Sequence, residues 1–254
     1  FAGETFSENE IRAALRVSVN DRSIVPISMG SNILCQGIYT LMDDIVKYLP
    51  SPDNMQVAGI DLKTNEVFEA NYDFSKTKSA YIFKTLVDPY IGKYSMIKVM
   101  SGVLKTDDLL YNDEKDVEEK IGKIYVLQGN KPIEVSELHA GDIGALAKLT
   151  AARTGNSLST KATTIKYGKT EISTPYTYMR YKPKNKADID KISQALQKMT
   201  HEDQTLKVVN DAENRQTLIY GMGDQHLDIV VSRLLNEYKV EVELSKPKIA
   251  FRET

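Results

Sequence analysis

The last third of the chain alternates between two hydrophobic periods, and this alternation predicts a definite order of elements. Apolar residues recur at every second position in four stretches and at helical spacing in two. In chain order these are a strand at 176–182, a helix at 187–202, strands at 205–210 and 216–220, a helix at 224–238 and a strand at 239–244. The order βαββαβ is that of the ferredoxin-like sandwich, so we assign this fold to residues 175–248.

The middle of the chain keeps a period of two and has no helical stretch. Strands are predicted at 81–86, 94–100, 120–127 and 143–149, and Gly-containing turns such as Ser101-Gly102 separate them. Short strands at close, turn-marked spacing are typical of a small β-barrel. We assign the barrel to residues 80–153.

The first fifty residues show a third pattern. Ser7 and Glu10 form a capping box that begins an amphipathic helix. A short apolar strand at 24–28 follows, then a turn at 30–32 and a second helix at 37–48. Helix, strand, loop and helix suit the closing edge of an α/β domain rather than a separate domain, and residues 1–51 are interpreted as such a remnant.

Two polar, breaker-rich stretches separate the three regions. Residues 52–79 and 154–174 are predicted to be linkers, the first with a short hairpin around Lys63-Thr64-Asn65. The predicted fold class is therefore multi-domain α+β, made of an α/β remnant, a β-barrel and a ferredoxin-like sandwich.

Composition narrows the classes of function. The 254 residues carry a formal net charge of −2, so any contact with nucleic acid must be local. The single cysteine, Cys35, excludes an internal disulfide and fits a reducing cytosol. No apolar run approaches the roughly 18 residues of a membrane span, and the N-terminus has neither a Met nor a signal pattern. We expect a cytoplasmic piece of a larger protein, with no membrane or DNA partner.

Two short motifs have the letters of nucleotide sites without their context. Gly168-Lys169-Thr170 lacks the first glycine of a P-loop, because Thr163 stands at that position. Asn185-Lys186-Ala187-Asp188 matches the guanine-reading motif, but a helix follows it and no buried strand leads into it. Asn185 is better interpreted as a helix N-cap. Both motifs are predicted to be structural.

The histidines give no sign of a metal site. His139, His201 and His226 are far apart, and no Cys or His lies at ligand spacing from any of them. A structural zinc site is therefore not expected.

The open face of the predicted sandwich offers a candidate contact surface. The strand at 216–220 lacks the basic-Gly-aromatic run of an RNA-recognition motif. On the last strand, Glu241 and Glu243 would lie on the open face if the alternating valines face the helices. Tyr178, Arg180 and Lys182 on the first strand are the better candidates for contact with RNA or another domain.

The junction after the third strand of the sandwich carries the most specific signal. It reads Gly221-Met222-Gly223-Asp224-Gln225-His226-Leu227-Asp228, and the two glycines are expected to let the strand turn sharply into a helix through positive φ. With ALQKMTHEDQTLKV before it and SKPKIAFRET after it, the stretch 189–254 resembles domain III of bacterial elongation factor G. That family usually has GMGELHLE here, and the Asp224-Gln225 departure resembles its elongation-factor-G-like paralogues.

The resemblance extends to the rest of the chain. Asp88-Pro89 with Gly92-Lys93, then SGVLK at 101–105 and HAGDI at 139–143, resemble domain II of translational GTPases. Gly30-Ser31-Asn32-Ile33 resembles the guanine loop of that family, which usually reads GSAL. The resemblance implies that Ser31 braces the pocket and that Asn32 supplies the amide facing the base. Residues 249–254 would begin the connection to domain IV.

The resemblance implies a fragment of a ribosome-dependent GTPase that promotes tRNA and mRNA translocation or ribosome recycling. GTP and Mg²⁺ would bind the upstream part of the parent, and this fragment, with no catalytic residue of its own, would be inactive. Its domains would contact the ribosome and relay the nucleotide state. The candidate contacts with the ribosome or between domains are Lys93, Arg180, Lys182 and His226. The protein is expected to be a monomer.

Two alternatives remain open. A ribosomal protection protein of the tetracycline-resistance type has the same domains, although Gly221-Met222-Gly223 with His226-Leu227 favours the elongation factor. A non-enzymatic interaction module could also use a barrel and a sandwich, and a complete P-loop upstream would exclude it. Elongation factor Tu is a weaker alternative, because its third domain is a barrel.

Overall fold

The computed structural model describes residue 3 and residues 5–88, 92–129 and 131–250. Pro89 of the barrel motif and residues 251–254 of the expected connection lie outside the described residues. The chain divides into two compact units, Phe1–Val57 and Ala58–Thr254. The second unit contains both the β-rich region and the predicted sandwich.

Two helices dominate the first unit, α1 (Glu8–Asn20) and α2 (Ile38–Tyr48). The predicted capping box is present, because the Ser7 amide donates to Glu10 Oε2 at 2.8 Å and the Glu10 amide donates to Ser7 Oγ at 3.4 Å. Both helices begin within one residue of their predicted starts, and a short 3-10 turn, Pro52–Asn54, follows α2.

The strand predicted at 24–28 is wrong. These residues form no ladder with any other described segment, and Val25 and Ile27 are 78% and 87% exposed. A strand is held by hydrogen bonds to a neighbour and by a covered face. The apolar pattern at 24–28 therefore does not form a strand, because no described segment pairs with it.

The second unit begins with an antiparallel β region. Its strands are β1 (Ala58–Asp61), β2 (Glu66–Glu69), β3 (Ser79–Asp88), β4 (Gly92–Ser101), β5 (Val103–Lys105), β6 (Leu109–Asn112), β7 (Val117–Lys120), β8 (Ile124–Gln128), β9 (Lys131–Val135), β10 (Glu137–His139), β11 (Ile143–Ala147), β12 (Ser157–Ser159) and β13 (Ile165–Lys166). Eight of them form one sheet in the order β7-β6-β12-β3-β4-β11-β8-β9, and β5 pairs with β10.

The core of this region is built from alternate residues of these strands. Ile82 on β3 and Ile97 on β4 lie opposite each other and are fully buried, and Leu104, Leu146 and Leu158 join them from other strands. The prediction of a small β-barrel in the middle of the chain is confirmed as an all-β domain, and we call this region the barrel.

One predicted strand is divided into two. The stretch at 120–127 is interrupted between β7 and β8, where Ile121 turns inward and its amide donates to the Asp108 carbonyl at 2.8 Å. Ile121 and Ile124 are both fully buried. Two core side chains three residues apart do not fit the period of a continuous strand, which explains the interruption.

The two predicted linkers contain strands. β1 and β2 form the expected hairpin, with Leu62–Asn65 as its turn, and β13 from the second linker pairs with β1. β12, also in the second linker, joins the eight-stranded sheet between β3 and β6. Sequence reasoning missed β12 because Ser157 and Ser159, although buried, are polar. The domain boundaries themselves stay predictions.

The C-terminal part of the second unit is a sandwich of four strands and two helices. Its elements are β14 (Thr177–Pro183), α3 (Ile189–Glu202), β15 (Lys207–Asp211), β16 (Gln216–Gly221), α4 (Asp224–Asn236) and β17 (Val242–Ser245). The sheet order is β15-β16-β14-β17 with every pair antiparallel. This confirms the ferredoxin-like prediction.

Both helices cover one face of this sheet. The buried core contains Ile192, Leu196 and Met199 of α3 together with Leu227 and Leu234 of α4. Met179 and Ile219 add to it from the strands, so alternate residues of β14 and β16 face the opposite, open side. This arrangement determines which polar side chains reach the surface of the sheet.

Candidate functional site

The loop that resembles a guanine loop is a tight turn between Met29 and α2. The Ser31 amide donates to the Gln36 carbonyl at 3.0 Å, and the Gln36 amide donates back at 3.1 Å. Gly37 closes the turn with φ of 77°, and a Cβ there would lie 2.7 Å from the Met29 carbonyl oxygen. The backbone of the loop is therefore fixed by its own hydrogen bonds and by a close approach that only glycine permits.

The residues expected to read guanine lie at the tip of this turn. Ser31 Oγ accepts the Leu34 amide at 3.3 Å, and the Asn32 carbonyl accepts the Cys35 thiol at 3.6 Å. Within the described part of the chain the Asn32 amide donates to no other group, and Ile33 is 94% exposed. An ordered loop with an available amide is compatible with contact to a carbonyl oxygen of a base.

The two motifs interpreted as structural have structural partners. Lys169 Nζ lies 2.8 Å from Glu114 Oε1, so its charge is already paired. Asn185 Oδ1 accepts the Ala187 amide at 3.1 Å and caps the 3-10 turn Lys186–Asp188 that leads into α3. The N-cap prediction for Asn185 is confirmed.

Lys93 lies on β4 beside a loop that a buried carboxylate organises. Glu119 of β7 accepts the amides of Thr150, Ala151 and Ala152 and the Thr150 hydroxyl. Lys93 Nζ donates to the Ala152 carbonyl from the other side. The side chain of Lys93 is thus used within the protein, and its contact with a partner stays a prediction.

Burial and the nearby charge of Arg153 together lower the pKa of Lys93 to about 8, and the charge of Glu119 opposes this shift. His201, at the end of α3, faces the same cations. Burial and the charges of Arg153 and Lys93 lower the pKa of His201. The charges of Lys93 and Arg153 in the barrel therefore act on His201 of the sandwich.

Glu202 joins the barrel to the sandwich at this junction. Its Oε1 accepts the Val87 amide of β3 at 2.8 Å, and its Oε2 lies 2.8 Å from Arg233 Nη2 of α4. Gln204 Nε2 donates to the Thr154 carbonyl at 2.9 Å, and the Thr154 and Thr85 hydroxyls are 2.9 Å apart. We call these residues the junction: Thr85, Val87, Thr154, Glu202, Gln204 and Arg233.

Sequence reasoning missed Glu119 and Glu202, although each left a signal. Glu119 occupies a buried position in the alternation of β7, where an apolar residue is the usual choice. Glu202 is an acid in the last turn of α3, a position that the helix dipole disfavours. In both cases the unfavourable residue is explained by donors that come from elsewhere in the chain.

Arg180 and Lys182 lie on the open face of the sandwich, as the alternation of β14 predicts. Arg180 Nε donates to Ser245 Oγ at 3.2 Å, and Lys182 lies opposite Glu243 in the register of β14 and β17. Val242 is buried toward the helices, which places Glu243 on the open face as expected. Glu241 lies two residues before Glu243 in the same alternation and pairs with Lys184 at 2.6 Å.

His226 is a brace within the sandwich. Its Nδ1 accepts the Met222 amide at 3.1 Å, and its Nε2 lies 3.0 Å from Asp203 Oδ2. The ring therefore carries its proton on Nε2 and links the turn after β16 to the end of α3. Its role as a contact with a partner stays a prediction.

Packing requires the glycine at position 221, before His226. A Cβ on Gly221 would lie 2.9 Å from Leu227 Cδ2 and 3.1 Å from His226 Nδ1. Gly221 has no positive φ, and Gly223, with φ of 177°, is extended. The expectation that both glycines turn through positive φ is wrong, because the helix simply approaches the strand too closely for a side chain.

Among the described residues, no group of three or more His, Cys, Asp or Glu side chains is placed to hold a metal ion. None of the described helices is long and apolar enough to cross a membrane.

Comparison with known proteins gives two family matches. Residues 77–161 match the family described as elongation factor G domain 2, and residues 172–246 match elongation factor G domain III. Together they account for more than half of the chain and agree with the resemblance seen in the sequence. The chain is also similar to a crystal structure of a protein from Thermus thermophilus, at 25% identity and a TM-score of 0.72. That alignment covers 97% of this chain and 35% of the other, so the chain spans about a third of that protein.

Proposed function

The chain belongs to the elongation factor G family, as a fragment with its domains II and III, and from this we propose that its parent is a ribosome-dependent translational GTPase. The parent would promote movement of tRNA and mRNA or recycling of ribosomes in the cytoplasm, acting as a monomer. The observation that carries the proposal is the succession of both family domains, in the family's order, in one chain.

Within the parent, residues 58–254 would relay rather than catalyse. The junction fits this role, because Glu202 binds a backbone amide of the barrel and the Arg233 guanidinium of the sandwich through its two oxygens. A carboxylate with both oxygens in charge-assisted or amide hydrogen bonds fixes direction as well as distance. A tilt of the barrel would therefore be passed to the sandwich through α3.

The nucleotide would be held mainly by parts of the parent upstream of this chain. GTP with Mg²⁺ would supply the phosphoryl group whose hydrolysis changes the state of the protein. From this chain, Ser31 would brace the loop and the Asn32 amide would contact the base. With no phosphate-binding loop in the described residues, we expect the fragment alone neither to bind nor to hydrolyse GTP.

The proposal is tested by GTP hydrolysis of the full-length parent with and without ribosomes, beside peptide synthesis in a factor-depleted system. Stimulated hydrolysis with synthesis is the result expected of a translocase. Stimulated hydrolysis without synthesis would favour a recycling factor or a ribosomal protection protein. Hydrolysis that ribosomes do not stimulate would contradict the proposal and leave an interaction module.

A further inference from the structure

The open face of the sandwich carries a stacked pair of tyrosines. Tyr178 on β14 and Tyr220 on β16 lie directly opposite each other, with ring centroids 4.9 Å apart and planes inclined by 21°. Tyr178 is 43% exposed. The hydrophobic core does not use these rings, because Met179 and Tyr181 are the residues of β14 that pack against it. Tyr220 is half-buried, so the exposed ring of Tyr178 is the surface on which a further flat ring can stack.

A groove of about 370 Å³ runs beside the tyrosine pair. Val209 and Leu218 contribute to its lining, and Pro247–Ala250 form another wall. That wall is held in place by Gln216, whose Nε2 donates to the Lys248 carbonyl at 2.9 Å and whose Oε1 accepts the Lys248 amide at 2.8 Å. The groove is therefore bounded on one side by aromatic rings and on another by a fixed segment, and its volume suits a small planar group.

A second groove of about 380 Å³ adjoins the first and shares Gln216 and Lys248 with it. Its lining is strongly basic and includes Arg180, Lys182, Arg215 and Lys248. Arg180 uses one guanidinium donor on Ser245, and a guanidinium has five. Positive side chains around a shallow groove favour an anionic chain such as a phosphate backbone.

The acids on this face do not cancel its charge. Asp211 lines the first groove and is held by Asn214 and Gln216, each at 2.8 Å from its Oδ2. Glu243 lies opposite Lys182. Glu241 is already paired with Lys184. Against Asp211 and Glu243 stand the four basic residues of the second groove and Lys207, which is opposite Tyr220. The face is locally positive on a chain whose net charge is −2. Because Asp211 lies in the first groove and would repel phosphate, phosphate is expected in the second, basic groove.

We propose that this face binds single-stranded RNA, with one base stacked on Tyr178 in the first groove and phosphates along Arg180, Lys182, Arg215 and Lys248 in the second. Only an unpaired strand can present a base to an aromatic ring while its phosphates follow a basic groove. The inference deepens the proposed function and rests on it for the choice of RNA over DNA. The arrangement of rings and cations also favours a nucleic acid over a protein partner. A protein would need several acidic side chains to neutralise the five cations, whereas a phosphate backbone supplies those charges by itself.

The test is fluorescence anisotropy of a labelled single-stranded RNA of about ten nucleotides titrated with the 254-residue chain. Tyr178→Ala should weaken binding about tenfold, because loss of one stacked base costs about that much. Tyr178→Phe keeps the ring and should bind like the native chain. Arg180→Gln should reduce the slope of log affinity against log salt by about one.

Lys198→Gln is the matched control, since it removes one charge from an exposed position on α3, on the helix-covered side of the sheet. It should leave both the affinity and the salt slope unchanged. Circular dichroism melting of each variant checks that the sandwich is folded, and Tyr178→Phe separates loss of stacking from loss of the fold.

Three results would overturn the proposal: no binding of the RNA, equal binding of a duplex of the same length, or equal binding by Tyr178→Ala and the native chain. The first would leave the face to a protein partner, and the others would indicate non-specific attraction of a polyanion. Each can occur while the parent still hydrolyses GTP in response to ribosomes, so failure of this inference is distinguishable from failure of the proposed function. If ribosomes did not stimulate hydrolysis but the chain still bound the RNA, the proposed function would fail while this inference would stand.

Discussion

Helices α2 and α3 have similar amphipathic patterns, but only α3 has buried residues. α3 buries Ile192, Ala195, Leu196 and Met199 in the sandwich, whereas no residue of α2 is buried. The two units that contain these helices differ in the same way. None of the described residues up to 57 is buried, while the second unit contains apolar cores in both of its parts. An apolar stripe predicts a helix reliably, but burial depends on a partner surface that the stripe does not specify.

The largest expected effect is a truncation in the core that α3 covers. Leu196→Ala should lower the free energy of unfolding by about 2–5 kcal/mol, because Leu196 is 1% exposed and its removal leaves a cavity. Ile45→Ala on α2, at a residue 46% exposed, is the matched change and should cost less than about 1 kcal/mol. Urea unfolding followed by circular dichroism gives both values, and equal losses would contradict the contrast between the two helices.

Removal of the Glu202 carboxylate should have the next largest effect. Glu202→Ala leaves the Val87 amide without a partner and leaves the Arg233 guanidinium paired with Glu237 alone, which should cost about 1–3 kcal/mol. Glu237→Ala is the control, because its carboxylate pairs with the same arginine within α4 and is more exposed; it should cost about 0.5 kcal/mol or less. Equal urea midpoints for the two variants would show that the junction adds nothing to stability.

Gly221→Ala tests why a glycine follows β16. The added Cβ would press on Leu227 Cδ2 at 2.9 Å, and overpacking of this kind costs about 1–3 kcal/mol. Gly223→Ala is the control, since nothing lies within 4 Å of a Cβ there and its φ is extended. Thermal unfolding of the two variants should separate them, and a loss confined to Gly223→Ala would contradict the packing explanation.

The smallest expected effect is a pH dependence that comes from His201. Burial, then Arg153 and Lys93, lowers its pKa in the folded chain, so the unfolded chain takes up the proton first as pH falls. Stability from the neutral ring is therefore present above the unfolded pKa of about 6.5 and is lost as pH falls below it. His201→Gln should flatten the dependence of the urea midpoint on pH in this window, and an unchanged slope would exclude the contribution.

The sandwich could be predicted from the sequence because its signals are local. Each strand and helix has its own period, and the boundaries of β14, β16 and α3 lie within two residues of the predicted ones. The strand at 24–28 failed because pairing is a property of two segments, and only one is visible in a local pattern.

The residues at the junction and on the open face could be predicted only in part. Arg180 and Lys182 follow from alternation along β14. The stack of Tyr178 on Tyr220 needs the register of β14 against β16, and Glu202 meets Val87 across 115 positions of the chain. Glu119 and Glu202 stand at positions that are unfavourable for an acid. The sequence therefore shows that they are unusual, but it does not show which groups they bind.

The proposed relay is tested most directly in the full-length parent with Glu202→Gln, measured for ribosome-stimulated GTP hydrolysis and for peptide synthesis beside the native protein. Gln keeps the size of the side chain but loses the charge that holds Arg233. We expect that hydrolysis is still stimulated while synthesis slows by about fivefold or more, which is the range of a typical coupling free energy. Native rates in both assays would contradict a relay through the junction.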